Sequence, residues 1–240
     1  MMLCQYLFFL LAFSFIATAN VEKTIFIAPQ PLTIPTADPT LDDLGLERLS
    51  SSSPVLRTSI NATFPTTESP GTDSWYFLEN LNPGQRYEVR VCWLATQPTA
   101  FTLTTYTLLQ VIEEPSLLSS ISLYSQAYIA ASQSNAVPRT SSSFHDQAPT
   151  SDSVLFLRIT AAADYYSLDT MLMENVPAVA ADVILDPFVF NIFPRSLIPT
   201  ACYICIVGCL AVVIGWWVLR GLLWVVDYDS QHPRDDKKNK

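Results

Sequence analysis

Two histidines stand in 240 residues, His145 in a serine-rich stretch and His232 close to the C-terminus. A proton shuttle or an imidazole metal ligand therefore has few places to form. No HExxH, GxSxG or paired-histidine spacing occurs, and with 6 glycines in all a phosphate-cradling loop is implausible. Adjacent carboxylates at Asp42-Asp43 and Glu113-Glu114 have the composition that a metal-assisted sugar transfer needs, yet carboxylates in coil or at a helix start ordinarily face solvent or offset the helix dipole. Asp164-Tyr165-Tyr166 has the chemistry to grip a sugar or a lipid headgroup, but a tyrosine pair of that kind more often closes a sandwich core. Cys202-x-x-Cys205 has a redox or zinc spacing but lies in a charge-free run where, with Cys209, it reads as one face of a helix. No catalytic, cofactor-binding or metal-ligating residue is expected.

The element that positions everything else is that charge-free run. Ser196 to Leu219 is 24 residues without a charge, about 36 Å as a helix against a hydrocarbon core of about 30 Å, so it crosses a bilayer once. Arg195 and Arg220 bracket it, and Trp216, Trp217 and Trp224 sit where an indole favours the headgroups. Pro194 and Pro199 lie at its entry, where a missing N–H costs little. Before them comes a segment, 186–195, rich in phenylalanine. It lies on the membrane or against another membrane protein, or else its aromatic rings close the core of the preceding domain. On the first reading Asp186, Pro187, Phe188, Phe190, Phe193, Pro194 and Arg195 form a partner-docking collar that also meets membrane lipid.

At the other end, Leu3 to Ile16 is apolar and Ala17-Thr18-Ala19 fits a signal peptidase site, giving a signal peptide over 1–19. Its basic n-region is absent, which leaves an uncleaved anchor as the other reading; the run is short for a span, and cleavage is expected. Residues 20–195 are then lumenal and 220–240 form a cytosolic tail, a type I topology with which the basic residues after the helix agree. Asn61-Ala62-Thr63 is an N-glycosylation sequon on the lumenal side. Cys92 is alone in that domain, so no intramolecular disulfide can hold it. The segment 20–195 carries 18 acidic against 8 basic side chains, a balance that favours solubility and gives nucleic acid nothing to bind.

Within 20–185 the patterning is mainly β. Strands are expected at Thr24–Ile27, Val55–Phe64, Trp75–Leu78, Arg86–Leu94, Phe101–Leu109, Val154–Ala161 and Asp182–Leu185. Leu81-Asn82-Pro83-Gly84-Gln85 reads as a type II turn. In the strand after it Tyr87, Val89, Val91 and Trp93 share one face while Glu88, Arg90 and Cys92 share the other, as in a half-buried antiparallel strand. A Leu-x-Pro-Gly turn before Tyr-x-Val-x-Val resembles part of a fibronectin type III or immunoglobulin-like sandwich. Glu113 to Gln133 is expected to form one short helix opened near Pro115, and Ser132–Ser153 a mobile loop.

The chain ends Lys237-Lys238-Asn239-Lys240, which looks like a dilysine retrieval signal of the endoplasmic reticulum, read by a receptor. The other reading is a basic tail that meets anionic lipid. With EKTIFIAP, LDDL, DSWYFLENLNPGQRYEVRVCWLATQPT, VLFLRITAAADYY and above all ILDPFVFNIFPRSLIPTA, the sequence resembles the fungal non-catalytic subunit, or co-activator, of GPI mannosyltransferase II. That resemblance implies a membrane subunit of the endoplasmic reticulum that needs no cofactor. Its partner is a multi-spanning catalytic subunit that adds the second mannose to the GPI precursor. The rival readings are an accessory subunit of another glycosyltransferase complex there, a type I surface protein with a fibronectin-like ectodomain, and a glycosyltransferase in its own right.

Overall fold

The computed structural model describes residues 20–33, 41–134 and 151–231; the signal segment, His145, His232, Lys237 and Lys238 lie outside them. The chain divides into two compact units, Met1–Ile192 and Phe193–Lys240.

The strands of the first unit, in chain order, are β1 (Val21–Ile27), β2 (Leu32–Thr33), β3 (Glu47–Ser50), β4 (Val55–Ile60), β5 (Thr72–Glu79), β6 (Arg86–Trp93), β7 (Thr99–Thr107), β8 (Ser151–Asp152), β9 (Leu155–Ala163) and β10 (Val179–Val189). Its helices are α1 (Leu108–Glu113), α2 (Pro115–Ser134) and α3 (Thr170–Glu174). The helical stretch expected from Glu113 thus opens at Pro115 and is preceded by a separate short helix. Thr107 caps α1 in a reciprocal capping box with Gln110. Of the expected loop Ser132–Ser153, α2 takes in its start by running on to Ser134, β8 pairs with β2 near its end, and residues 135–150 lie outside the described residues.

Two sheets face each other. In one, β6 and β4 flank β10 and β1 lies outside β6, all antiparallel. In the other, β5 and β7 pair antiparallel with β9, and β3 runs parallel to β5. Tyr87, Val89, Val91, Val183 and Leu185 from the first sheet meet Tyr76, Leu78, Leu157 and Ile159 from the second in one core. The opposite face of the second sheet is covered in turn by α1 and α2, through Trp75, Phe77, Phe156, Val111, Leu117 and Ile121. Trp75 is fully buried, and its indole N–H donates to the Ser120 hydroxyl at 3.0 Å. A sheet covered on both faces needs strands that are apolar on both sides. This is why Trp75-Tyr76-Phe77-Leu78 and Leu155-Phe156-Leu157 do not alternate with polar residues.

The second unit holds the Arg195–Leu197 turn of 3-10 helix and α4 (Ile198–Gln231). From Arg195 to Trp224 it is long and apolar enough to cross a membrane, and none of this stretch is buried within the protein. The helix outlasts the charge-free run and passes through Gly221, because a glycine alone lowers helix propensity by only about 1 kcal/mol.

Candidate functional site

β10 was expected over Asp182–Leu185 alone and is 11 residues long. Pro187 does not stop it, because β4 is in register with β10 only from Val179 to Ile184. Beyond that point β6 pairs with β10 up to Pro187, opposite Tyr87, and a proline with one free side is tolerated there. The strand therefore carries Asp186, Pro187 and Phe188 into the first unit. Phe188 is 5 % exposed, and the Arg86 guanidinium lies 5.8 Å from its ring centre.

Just past it the chain reverses over Val189-Phe190-Asn191-Ile192. Phe190 has φ 52° and Asn191 φ 58°, and the Ile192 N–H donates to the Val189 carbonyl at 3.1 Å, the geometry of a type I′ turn. Three side-chain bonds clamp this turn to the one at Asn82–Gln85. Asn191 Oδ1 accepts from the Arg86 N–H at 2.8 Å, Asn191 Nδ2 donates to the Gly84 carbonyl at 3.2 Å, and Gln85 Nε2 donates to the Phe188 carbonyl at 2.9 Å. The clamp leaves Phe190 86 % and Ile192 71 % exposed. On a turn held by backbone and amide bonds, these two side chains form an apolar tip.

The face of β6 and β10 turned away from the core also differs from a solvated surface. Glu88 and Asp186 are opposite each other in register and only 3 % and 5 % exposed. Two carboxylates so placed repel unless cations bridge them. Arg90 does so, 3.6 Å from Glu88 and 3.8 Å from Asp186, and Lys23 adds a second cation 3.1 Å from Glu88. At the edge of the same face Arg57 holds Asp182 through two bonds, 2.8 and 3.0 Å. Burial pushes the Cys92 thiol up, against the pull of Arg90.

The remaining sequence candidates are dispersed. Asn61 is exposed one residue after β4. Glu113 ends α1, and Glu114 accepts from the Ser116 hydroxyl. Tyr165 packs edge-on against Phe64 and donates to the Leu172 carbonyl, while Tyr166 is exposed. In the second unit Phe193, Pro194 and Arg195 precede α4, and Cys202, Cys205 and Cys209 are exposed on it. Among the described residues no group of three His, Cys, Asp or Glu is placed to hold a metal ion. What sequence reasoning missed is the clamp: Gln85 and Asn191 are far apart in the chain, and the one local signal is Asn191 itself, a residue that tolerates a left-handed turn.

The family description GPI-mannosyltransferase II co-activator matches residues 10–219, which include the clamped turn, both sheets and most of α4. The chain belongs to that co-activator family. No curated protein and no solved structure matches it. Membership gives a GPI-mannosyltransferase II co-activator a role beside a mannosyltransferase and places it in GPI biosynthesis. The apolar helix fits a single membrane pass.

Proposed function

We propose that this co-activator is the non-catalytic subunit that keeps the GPI mannosyltransferase II catalytic chain folded and in place at the endoplasmic reticulum membrane. The first unit is lumenal, α4 is its type I anchor, and Lys237 and Lys238 return the complex to the endoplasmic reticulum. The partner is a multi-spanning chain that adds the second mannose, and binding its folded state alone stabilises it by mass action. The observation that carries this reading is the family match across residues 10–219. The exposed Phe190–Ile192 tip, a few residues before α4 in sequence, supplies the docking surface of the first unit, and Phe193, Pro194 and Arg195 are docking residues of the second. Phe188 supports the tip from inside the domain through the bond its carbonyl accepts from Gln85.

The first unit is further read as a fibronectin-type sandwich adapted for protein contact. The Tyr87 hydroxyl accepts from the Asn82 N–H at 3.0 Å, in the manner of a tyrosine corner. The parallel β3–β5 pair and the helical layer depart from that pattern.

A mild-detergent pull-down of the tagged chain tests the role. One multi-spanning mannosyltransferase is expected at near-equal amount, with recovery falling about tenfold in Phe190→Gly, a loss of about 1.4 kcal/mol. A different complex would overturn the pathway, and undiminished recovery with Phe190→Gly would overturn the docking surface.

A further inference from the structure

Between α2, β4 and the first residues of β5 in the first unit lies an open cleft of about 540 Å³, within the range of about 300–1,000 Å³ typical of small-molecule sites. Its lining is unusual for a protein-binding groove. Asn61, Asp73, Ser119 and Ser120 face it with the Tyr124–Tyr128 pair, whose rings stack with centres 6.0 Å apart. The Asp73 carboxylate accepts from Thr160 at 2.6 Å, which fixes its direction. The Tyr124 hydroxyl is pushed up to about 12, mainly by burial, and it shares a hydrogen bond with Ser74. Aromatic faces beside hydroxyl groups and a fixed carboxylate match the two sides of a pyranose: a C–H face that stacks and a rim of hydroxyls that hydrogen-bond. Leu123 and Ala127 add apolar wall where an acetamido methyl packs.

Asn61 is at once a lining residue and the sequon asparagine. We infer that the cleft seats an N-acetylhexosamine chain, and that the chain it seats is the one attached to Asn61. This rests on the lumenal reading of the first unit. In the attachment, Asn61 Nδ2 bonds to the anomeric carbon of the first sugar as that carbon's bond to a lipid-linked pyrophosphate donor breaks. One amide proton is lost, and the lipid pyrophosphate leaves. Tethering then holds the sugar at millimolar effective concentration, so a cleft of modest intrinsic affinity is filled.

The full chain is expressed in a glycosylating host, Asn61 occupancy is read by peptide mass spectrometry, and release by an endoglycosidase is timed on folded and denatured protein. Release from the folded chain is expected to be at least about tenfold slower, with Ala127→Arg and Tyr128→Ser bringing it close to the denatured rate. The arginine stands at an exposed helix position and fills the cleft without touching the core, so the test survives if Tyr128→Ser folds poorly. Equal release from folded and denatured wild type overturns the inference. A second sequon made by Leu168→Asn separates the two readings. Modification there with a bare Asn61 overturns the cleft's role alone, and no modification at either site overturns the lumenal reading with it. Free diacetylchitobiose binding to Asn61→Gln with a Kd below about 0.1 mM, tighter than a tethered sugar requires, would instead assign the cleft to a sugar carried by another molecule.

Discussion

Two turns lie side by side in the first unit and solve the same backbone problem differently. At Asn82–Gln85 the left-handed position is filled by Gly84, φ 73°, with open space around it. At Val189–Ile192 the two left-handed positions are filled by Phe190 and Asn191. Asparagine tolerates that region, but for phenylalanine it costs about 1–2 kcal/mol, and the ring recovers none of this by burial because it faces outward. Where the fold alone sets the residue, the chain uses glycine. At Phe190 it accepts strain and spends three clamping bonds to hold an aromatic ring in the open. Strain kept at an exposed aromatic points to a surface selected for contact.

The comparison can be broken in four places. The largest effect is expected for Asn191→Ala, which removes two side-chain bonds and leaves an alanine at positive φ. A loss of about 2 kcal/mol in urea unfolding is predicted, together with loss of partner recovery, because the tip is no longer held. Next comes Phe190→Gly, for which stability and function should move in opposite directions. Partner recovery falls about tenfold while the unit gains about 1 kcal/mol from relief of strain. A parallel fall in both would show that the ring serves the fold after all. Gly84→Ala is smaller, a loss of about 1 kcal/mol from backbone strain alone, with co-purification unchanged.

The least effect is expected at Asp182, which the hydrogen bond from Arg57 holds below its ordinary value of 3.8, against the opposing effect of burial and with the smallest share from that charge's field. A depressed carboxyl contributes stability above its unfolded value and loses it as pH falls through the folded one. Asp182→Asn should therefore lower stability slightly at neutral pH and converge with the unsubstituted protein below the folded value, flattening the acid limb of the stability profile by circular dichroism. The pair is solvent-exposed, and salt should erase the difference.

What the sequence discloses follows the range of the interactions concerned. The Pro83-Gly84 turn and the alternation of Tyr87, Val89 and Val91 are local, and both stand where the pattern places them. Trp75-Tyr76-Phe77-Leu78 reveals a strand, but not that α2 lies over one side of it. β10 reads short because Pro187 resembles a stop, and the retreat of β4 that makes the proline harmless depends on pairing across more than a hundred residues. Glu88 looks like a solvated residue for the same reason, since its neighbour Asp186 is supplied by register. The site is less legible than the fold: Phe190 stands out as an aromatic before the anchor, whereas its backbone angle and the Gln85 and Asn191 that hold it are set by long-range contacts. The meeting of Asn61 with Tyr124 and Tyr128 is likewise created by the packing of α2 against β5.

β10 is both a central strand of its sheet, between β6 and β4, and the last long strand of its unit to be synthesised. At about 5–20 residues per second of translation, the edges of β4 and β6 wait several seconds for the strand that joins them, and Phe190 follows directly behind it. The nascent unit thus exposes two open sheet edges until β10 emerges just ahead of the anchor. Closure of the domain and delivery of the membrane helix are consequently near-simultaneous events in its biogenesis.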